Sequence, residues 1–357
     1  MMKQHNENLL KFNMMKNKPK YFLAAIIFSI TLNLTAQNAT IDSIIPKKLP
    51  IQAFAAMPVL LGVDVENAFP HEKKYRTFAK NELTLPMTNS QTFSIYGSLP
   101  IIKKTKGFSA KINFGFNVFK DNIGSTAFKD RVIIDDVEGT GTSANTSLNI
   151  SQQILFKKWK KKLTLSAAYS VSGKGIGSLE KQSQKGIFSA TLPLKMTPDA
   201  MFLIGAIGIV GKNVKKPILP IVAYFTRLGS HLNLELIVPV SGQLRYVISP
   251  KSSVLMGARI GTRTPFMDMD IPVLQSTDDA LEFKSQNLRY YLNVEKAVNK
   301  LFWLHGEVGY NRNIIEAIIT SNVDLRNRVF VGDGFGYMYA KIGVFVRPVF
   351  GMIKLAP

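Results

Sequence analysis

The chain has 357 residues, of which 46% are hydrophobic and 19% charged, with a formal net charge of +21 and no cysteine. The charged share falls below the quarter or so usual in soluble domains. Without cysteine there is no disulfide scaffold, thiolate-bound zinc or iron–sulfur centre, cysteine nucleophile or lipid-anchored N-terminal cysteine.

Residues 1–37 read as a secretory signal peptide. Lys16, Lys18 and Lys20 precede the apolar run Tyr21–Leu34, and the small or polar residues TAQNA follow. That basic, apolar, small order marks a cleavable signal, and the run is short of the roughly 20 residues a membrane helix needs. Cleavage is expected after Gln37; an uncleaved anchor is the competing reading. Residues 38–70 read as a lead-in or plug segment, and residues 71–357 as the main body.

From there on the pattern is alternation. In GFSAKINFGFNVF (107–119), Phe108, Ala110, Ile112, Phe114, Phe116 and Val118 share one parity, and Ser109, Lys111, Asn113 and Asn117 the other. Period two is the signature of a strand with one apolar face. The same pattern recurs in KLTLSAAYSVS, HLNLELIVPV, SSVLMGARIGTR, QNLRYYLNVE, LFWLHGEVGYN and YMYAKIGVFV. No run after the signal reaches the ~18 apolar residues of a membrane helix. Strands are expected at 73–86, 90–100, 107–119, 146–157, 162–172, 186–195, 200–211, 217–228, 231–240, 242–250, 253–263, 286–297, 301–313 and 336–347. These are longer than the five or six residues usual in soluble proteins and match the 9–11 of a tilted membrane strand.

Connections carry the second argument. Tight turns at 101–106, 157–162, 196–199, 228–230, 250–253 and 298–300 alternate in phase with longer segments at 120–145, 173–185, 264–285 and 314–335. Outer-membrane barrels pair short periplasmic turns with longer outer loops. The expected fold is an all-β, antiparallel, up-and-down transmembrane β-barrel of about 14 strands, with 12 as the alternative. Pro193, Pro220 and Pro239 fall within expected strands, and each demands a bulge or an early strand end. Lysines at the tight turns, with Trp159 among them, suit a membrane boundary. The basic charge is spread over separate turns, which argues against nucleic acid. Outer-membrane lipid and the barrel-assembly machinery are the implied partners.

The run PIVAYFTRLGSHLNLELIVPVSGQLRYVISPKSSVLMGARIG, with SLPIIKKTKGFSAKINFGF, resembles a family of Gram-negative outer-membrane β-barrel proteins without an assigned activity. The resemblance implies a fold and a location, and brings no catalytic residues.

Candidate chemistry lies on the polar parity: Glu235, Arg245, Arg259, Arg263, Arg289, Glu295, His305, Glu307, Lys341 and Arg347 are expected to line the lumen. They either satisfy one another, because an unpaired buried charge is costly, or select solutes. Antiparallel pairing about the 298–300 turn is expected to set Asn293 opposite His305 and Tyr291 opposite Glu307, with Arg289 diagonal to Glu307. His305 and Glu307 come without a serine-nucleophile motif. Acidic groups at Asp135, Asp136 and Glu138, and at Asp268, Asp270, Asp278, Asp279 and Glu282, lack calcium-loop spacing. GKGIG (173–177) lacks the ending of a phosphate loop. The sequence therefore points to no cofactor and no metal. A channel or transporter for small or hydrophobic solutes leads. A closed structural or adhesion barrel follows, and a barrel lipase comes third.

Overall fold

The computed structural model describes residues 59–76, 82–105, 107–124, 126–128, 131–134, 137–156, 161–173, 183–197, 199–211, 218–263, 266–268, 281–299, 301–320, 330–332 and 334–347. The signal peptide, Trp159, most of the glycine loop and most of the acidic loop residues lie outside them, as do the side chains of Glu138, Arg263, Asp268 and Glu282.

The described residues form strands: β1 (Leu61–Ala68), β2 (His71–Arg76), β3 (Glu82–Thr105), β4 (Phe108–Ile123), a small hairpin of β5 (Thr126–Phe128) and β6 (Arg131–Ile134), and β7 (Val137–Phe156). Then follow β8 (Lys161–Gly173), β9 (Ser183–Met196), β10 (Ala200–Gly211), β11 (Ile218–Arg227), β12 (Leu232–Val238), β13 (Ser241–Ser249) and β14 (Ser252–Arg263). The last are β15 (Phe266–Asp268), β16 (Leu281–Ala297), β17 (Phe302–Thr320), β18 (Phe330–Gly332) and β19 (Gly336–Val346). β1 with β2, β14 with β15, and β18 with β19 are each one strand of the wall interrupted once, so the wall is a closed antiparallel barrel of 14 strands. Closure is made by β1, which pairs with β19 (Leu61↔Val346 to Ala68↔Tyr339) and with β3 (Leu61↔Gly97 to Ala68↔Ser90). A closed sheet leaves no free strand edge at that level.

Two expected boundaries change. The first strand starts at Leu61, inside the segment read as a lead-in, and the strands expected at 73–86 and 90–100 are redistributed between β1–β2 and the long β3. Several expected loops are also partly strand: β7 starts at Val137 and β17 runs to Thr320. VEGTGTSANTS lacks alternation because neither of its faces is continuously apolar there.

The prolines fall where the backbone tolerates them. Pro193 adjoins a register shift between β9 and β10, where Leu203 pairs with Pro193 and Phe202 with Lys195. Pro220 lies beyond the end of β12, whose pairing with β11 starts at Val222↔Val238. Pro239 is outside β12 altogether.

Parity sorts the two faces. Leu148, Ile150, Phe188, Val210, Tyr246, Met256, Leu304 and Ile342 are exposed large apolar residues on the outward parity. Asp64, Glu235, Arg245, Asn293, Glu295, His305 and Glu307 are buried on the inward one. Inward side chains also bond across intervening strands, which only the concave face permits.

Candidate functional site

The wall from β12 to β1 carries a connected network of charges. Nearest the tight turns, Arg245 Nε donates to Glu235 Oε1 at 3.0 Å and its Nη1 to Glu295 Oε2 at 3.2 Å. Arg347 Nη2 reaches the same Glu295 oxygen at 2.9 Å, with its guanidinium 4.3 Å from the Trp303 ring centroid. Trp303 Nε1 donates to the Arg347 carbonyl at 2.9 Å. Gln243 donates to Glu235, completing that carboxylate's shell.

One level further along, Asp64 accepts from Tyr96 at 3.3 Å and from Lys341 at 3.3 Å, and its Oδ1 lies 2.8 Å from His305 Nε2. These groups meet over Gly343 of β19, where a Cβ would overlap both Asp64 and His305. Glycine there is what allows β1 and β17 to touch across the strand between them. Glu307 accepts from Arg259 at 2.6 Å, Tyr339 at 2.8 Å and Asn293 at 3.3 Å, with Lys341 at 3.9 Å. Beyond it, Arg289 grips Glu66 with two hydrogen bonds of 2.7 and 2.8 Å, the parallel fork that guanidinium and carboxylate favour.

The structure brings Glu235, Arg245, Arg259, Arg289, Glu295, His305, Glu307, Lys341 and Arg347 into this network, and adds Asp64, Glu66, Tyr96 and Tyr339. Five carboxylates (Asp64, Glu66, Glu235, Glu295, Glu307) meet five cations (Arg245, Arg259, Arg289, Lys341, Arg347). Every one of them has an opposite partner. Pairing and multiple hydrogen bonds are what make such burial tolerable.

The expected pairs differ. Glu295 faces His305 and Asn293 faces Glu307. The turn is centred one residue later than expected: Val298 N–H bonds the Phe302 carbonyl, and Asn299 Oδ1 caps the amides of Leu301 and Phe302 at 2.8 Å each. That moves the pairing by two residues. Arg289 therefore serves Glu66, and Arg259 serves Glu307.

The rest of the lumen is different in kind. β4 and β7 present a ladder of small polar side chains: Ser109 with Ser151 at 2.7 Å, Asn113 with Ser147 at 3.2 Å, Asn117 with Ser143 at 3.1 Å. These are only half-buried. On β10 and β11 the inward face is apolar, with Met201, Leu203 and Ile237 packed on the buried Ala223 and Phe225. MFLIGAIGIVG had no alternation to read because both of its faces are apolar. The inner surface thus has a neutralised charged wall, a wetter hydroxyl and amide wall, and an apolar stripe between them.

No protein-family model and no curated protein matches the chain. Among solved structures, it is similar to the COG4313 outer membrane channel of Pseudomonas putida F1 (12% identity, TM-score 0.34, 81% of this chain and 95% of that one). It is also similar to the P. putida toluene transporter TodX (10%, 0.28, 84% and 92%) and the Escherichia coli outer membrane protease OmpT (10%, 0.24, 80% and 94%). The class, a closed antiparallel barrel of 14 strands, rests on the strand pairing described above and not on these likenesses.

Proposed function

We propose that the chain is an outer-membrane channel for small apolar solutes. The observation that carries this is the composition of the lumen: the charges of the wall from β12 to β1 neutralise one another in pairs, and the described inner face beyond it offers an apolar stripe and a ladder of hydroxyl and amide groups flanking Lys111. An outward face of exposed Leu, Ile, Val and Phe fits a lipid surround. Phe156, Tyr246 and Phe302 lie exposed beside tight turns, where aromatic rings anchor at a membrane interface. Insertion by the barrel-assembly machinery belongs to the same reading.

The test is dye uptake by cells with an intact outer membrane, with and without the full chain. Phenylnaphthylamine, an apolar aromatic, should enter several-fold faster when the chain is present, and its anionic sulfonate analogue should not. Equal rates for phenylnaphthylamine with and without the chain would sink the proposal. That result would favour a structural or adhesion barrel.

A further inference from the structure

The hydroxyl wall and the apolar stripe meet along one line. Two cross-strand rows lead to it. The first runs Ser109↔Ser151↔Ser166↔Ser189↔Ile207↔Leu219, from β4 through β7, β8 and β9 to β10 and β11. The second runs Gln153↔Thr164↔Thr191↔Gly205↔Ile221, from β7 to β11. Directly opposed residues share a face of the sheet, so both rows lie on the inner wall with the rest of the ladder. In each, every side chain up to β9 carries a hydroxyl or an amide, and none from β10 onward has a polar atom. The change falls at the β9–β10 seam.

The hydroxyls near the seam differ from those further back. Ser109 and Ser151 bond each other at 2.7 Å, and Asn113 and Asn149 both donate to Ser147, at 3.2 and 3.0 Å. Ser166, Ser189 and Thr191, in the middle of β8 and β9, make no hydrogen bond to another described residue through their side chains. All three are half-buried. A hydroxyl has one donor and two acceptor sites, and here only water or a solute can take them. Thr191 also leans over the stripe: its Cγ2 lies 2.9 Å from where a Cβ on Gly205 would stand.

Ser189 and Thr191 on β9, with their partners on β10 and β11, frame a patch of roughly 7 by 10 Å, the size of a two-ring aromatic. A wholly apolar solute laid on it gains from Ile207 and Ile221 but strips water from the hydroxyls and returns nothing. The same body with one hydroxyl makes that loss good, because a dehydrated polar group is costly only when it finds no new partner.

We infer that the β9–β10 seam is a solute site in the lumen, selective for small aromatic molecules that carry one hydroxyl. The ring lies on Ile207 and Ile221, and Ser166, Ser189 and Thr191 set the preference by bonding the hydroxyl. This rests on the channel reading above and deepens it by naming the class of solute.

The test is equilibrium dialysis of the purified full chain in dodecylmaltoside, with detergent on both sides of the membrane so that partition into micelles cancels. The probes are radiolabelled 1-naphthol and 1-methylnaphthalene, which match in shape. The wild type should hold 1-naphthol several-fold more tightly, the factor that one net hydrogen bond supplies. Ser166→Ala, Ser189→Ala and Thr191→Val together should bring the ratio close to one. Ser151→Ala, whose hydroxyl is already bonded to Ser109, should keep the wild-type ratio. Each variant is checked for its heat-shifted band, and Ser189→Ala alone should already lower the ratio if the triple variant does not fold. Equal binding of the two probes by the wild type overturns the site, even where the chain speeds phenylnaphthylamine uptake. So does a preference that survives the loss of the three hydroxyls. A preference that vanishes with them, in a chain that gives no phenylnaphthylamine uptake, upholds the site and overturns the channel.

Discussion

Glu307 shows how a single side chain is held in this barrel. Its carboxylate is fully buried and accepts from Arg259, Tyr339 and Asn293, with Lys341 close by. Glu307→Gln removes the charge while keeping the shape, and leaves Arg259 without its partner. Losing one member of a buried pair costs about 3 kcal/mol. The expected result is a lower unfolding midpoint in urea, read by the heat-shifted band of the folded barrel on gels. Arg259→Gln in the same chain should recover part of the loss, whereas Arg289→Gln should recover none, because Arg289 belongs to Glu66. Recovery by Arg289→Gln and not by Arg259→Gln would contradict the pairing. Much of this network was legible: parity alone placed its cations on one face. That set held six cations, five of them with described side chains (Arg263 lies outside these), but only Glu235, Glu295 and Glu307 as carboxylates. The shortfall of two is made up by Asp64 and Glu66. Both sit on one parity of LGVDVENA, a signal present in the sequence but set aside with the lead-in.

At the scale of the strand, what the sequence disclosed depended on how local the pairing was. The hairpins of β12, β13 and β14 join through short turns and alternate cleanly, so they could be drawn almost to the residue. β1 pairs with β19 at the far end of the chain. No hairpin announces a contact of that length, and eight alternating residues standing alone carry little weight. The pairing of β15 with β7 was hidden for a different reason. It lies where alternation in the sequence fades, and it joins strands separated by the six strands β8 to β13. The faces themselves can be tested on β4. Phe114 points outward beside Gly97, which has no side chain to obstruct its ring, while Asn113 points inward to Ser147. Phe114→Arg places a charge in lipid at a cost of roughly 2–4 kcal/mol near the midplane. It should sharply reduce the folded band on heat-modifiability gels, and Asn113→Arg should leave it close to wild type. Equal loss in both variants would mean that the two faces are exchanged.

At the scale of the whole molecule, two closed rings share one wall: all 14 strands, and, through the pairing of β15 with β7 and of β18 with β2, eight of them. Fourteen strands enclose a lumen with an apolar stripe, and eight of them continue as a narrower ring at one end. The measurement that bears most directly on this is phenylnaphthylamine uptake by cells carrying Gly141→Cys with Met267→Cys. These two residues are cross-strand partners joining β7 to β15, and Cα atoms facing across an antiparallel pair lie within disulfide range. Oxidation would fasten the two strands together. If the strands pair as described and the lumen conducts apolar solutes, the two thiols should form the bond, and uptake with the bond reduced should be several-fold above that of cells lacking the chain. Failure of the bond to form, or uptake no faster than in cells lacking the chain, would contradict the account.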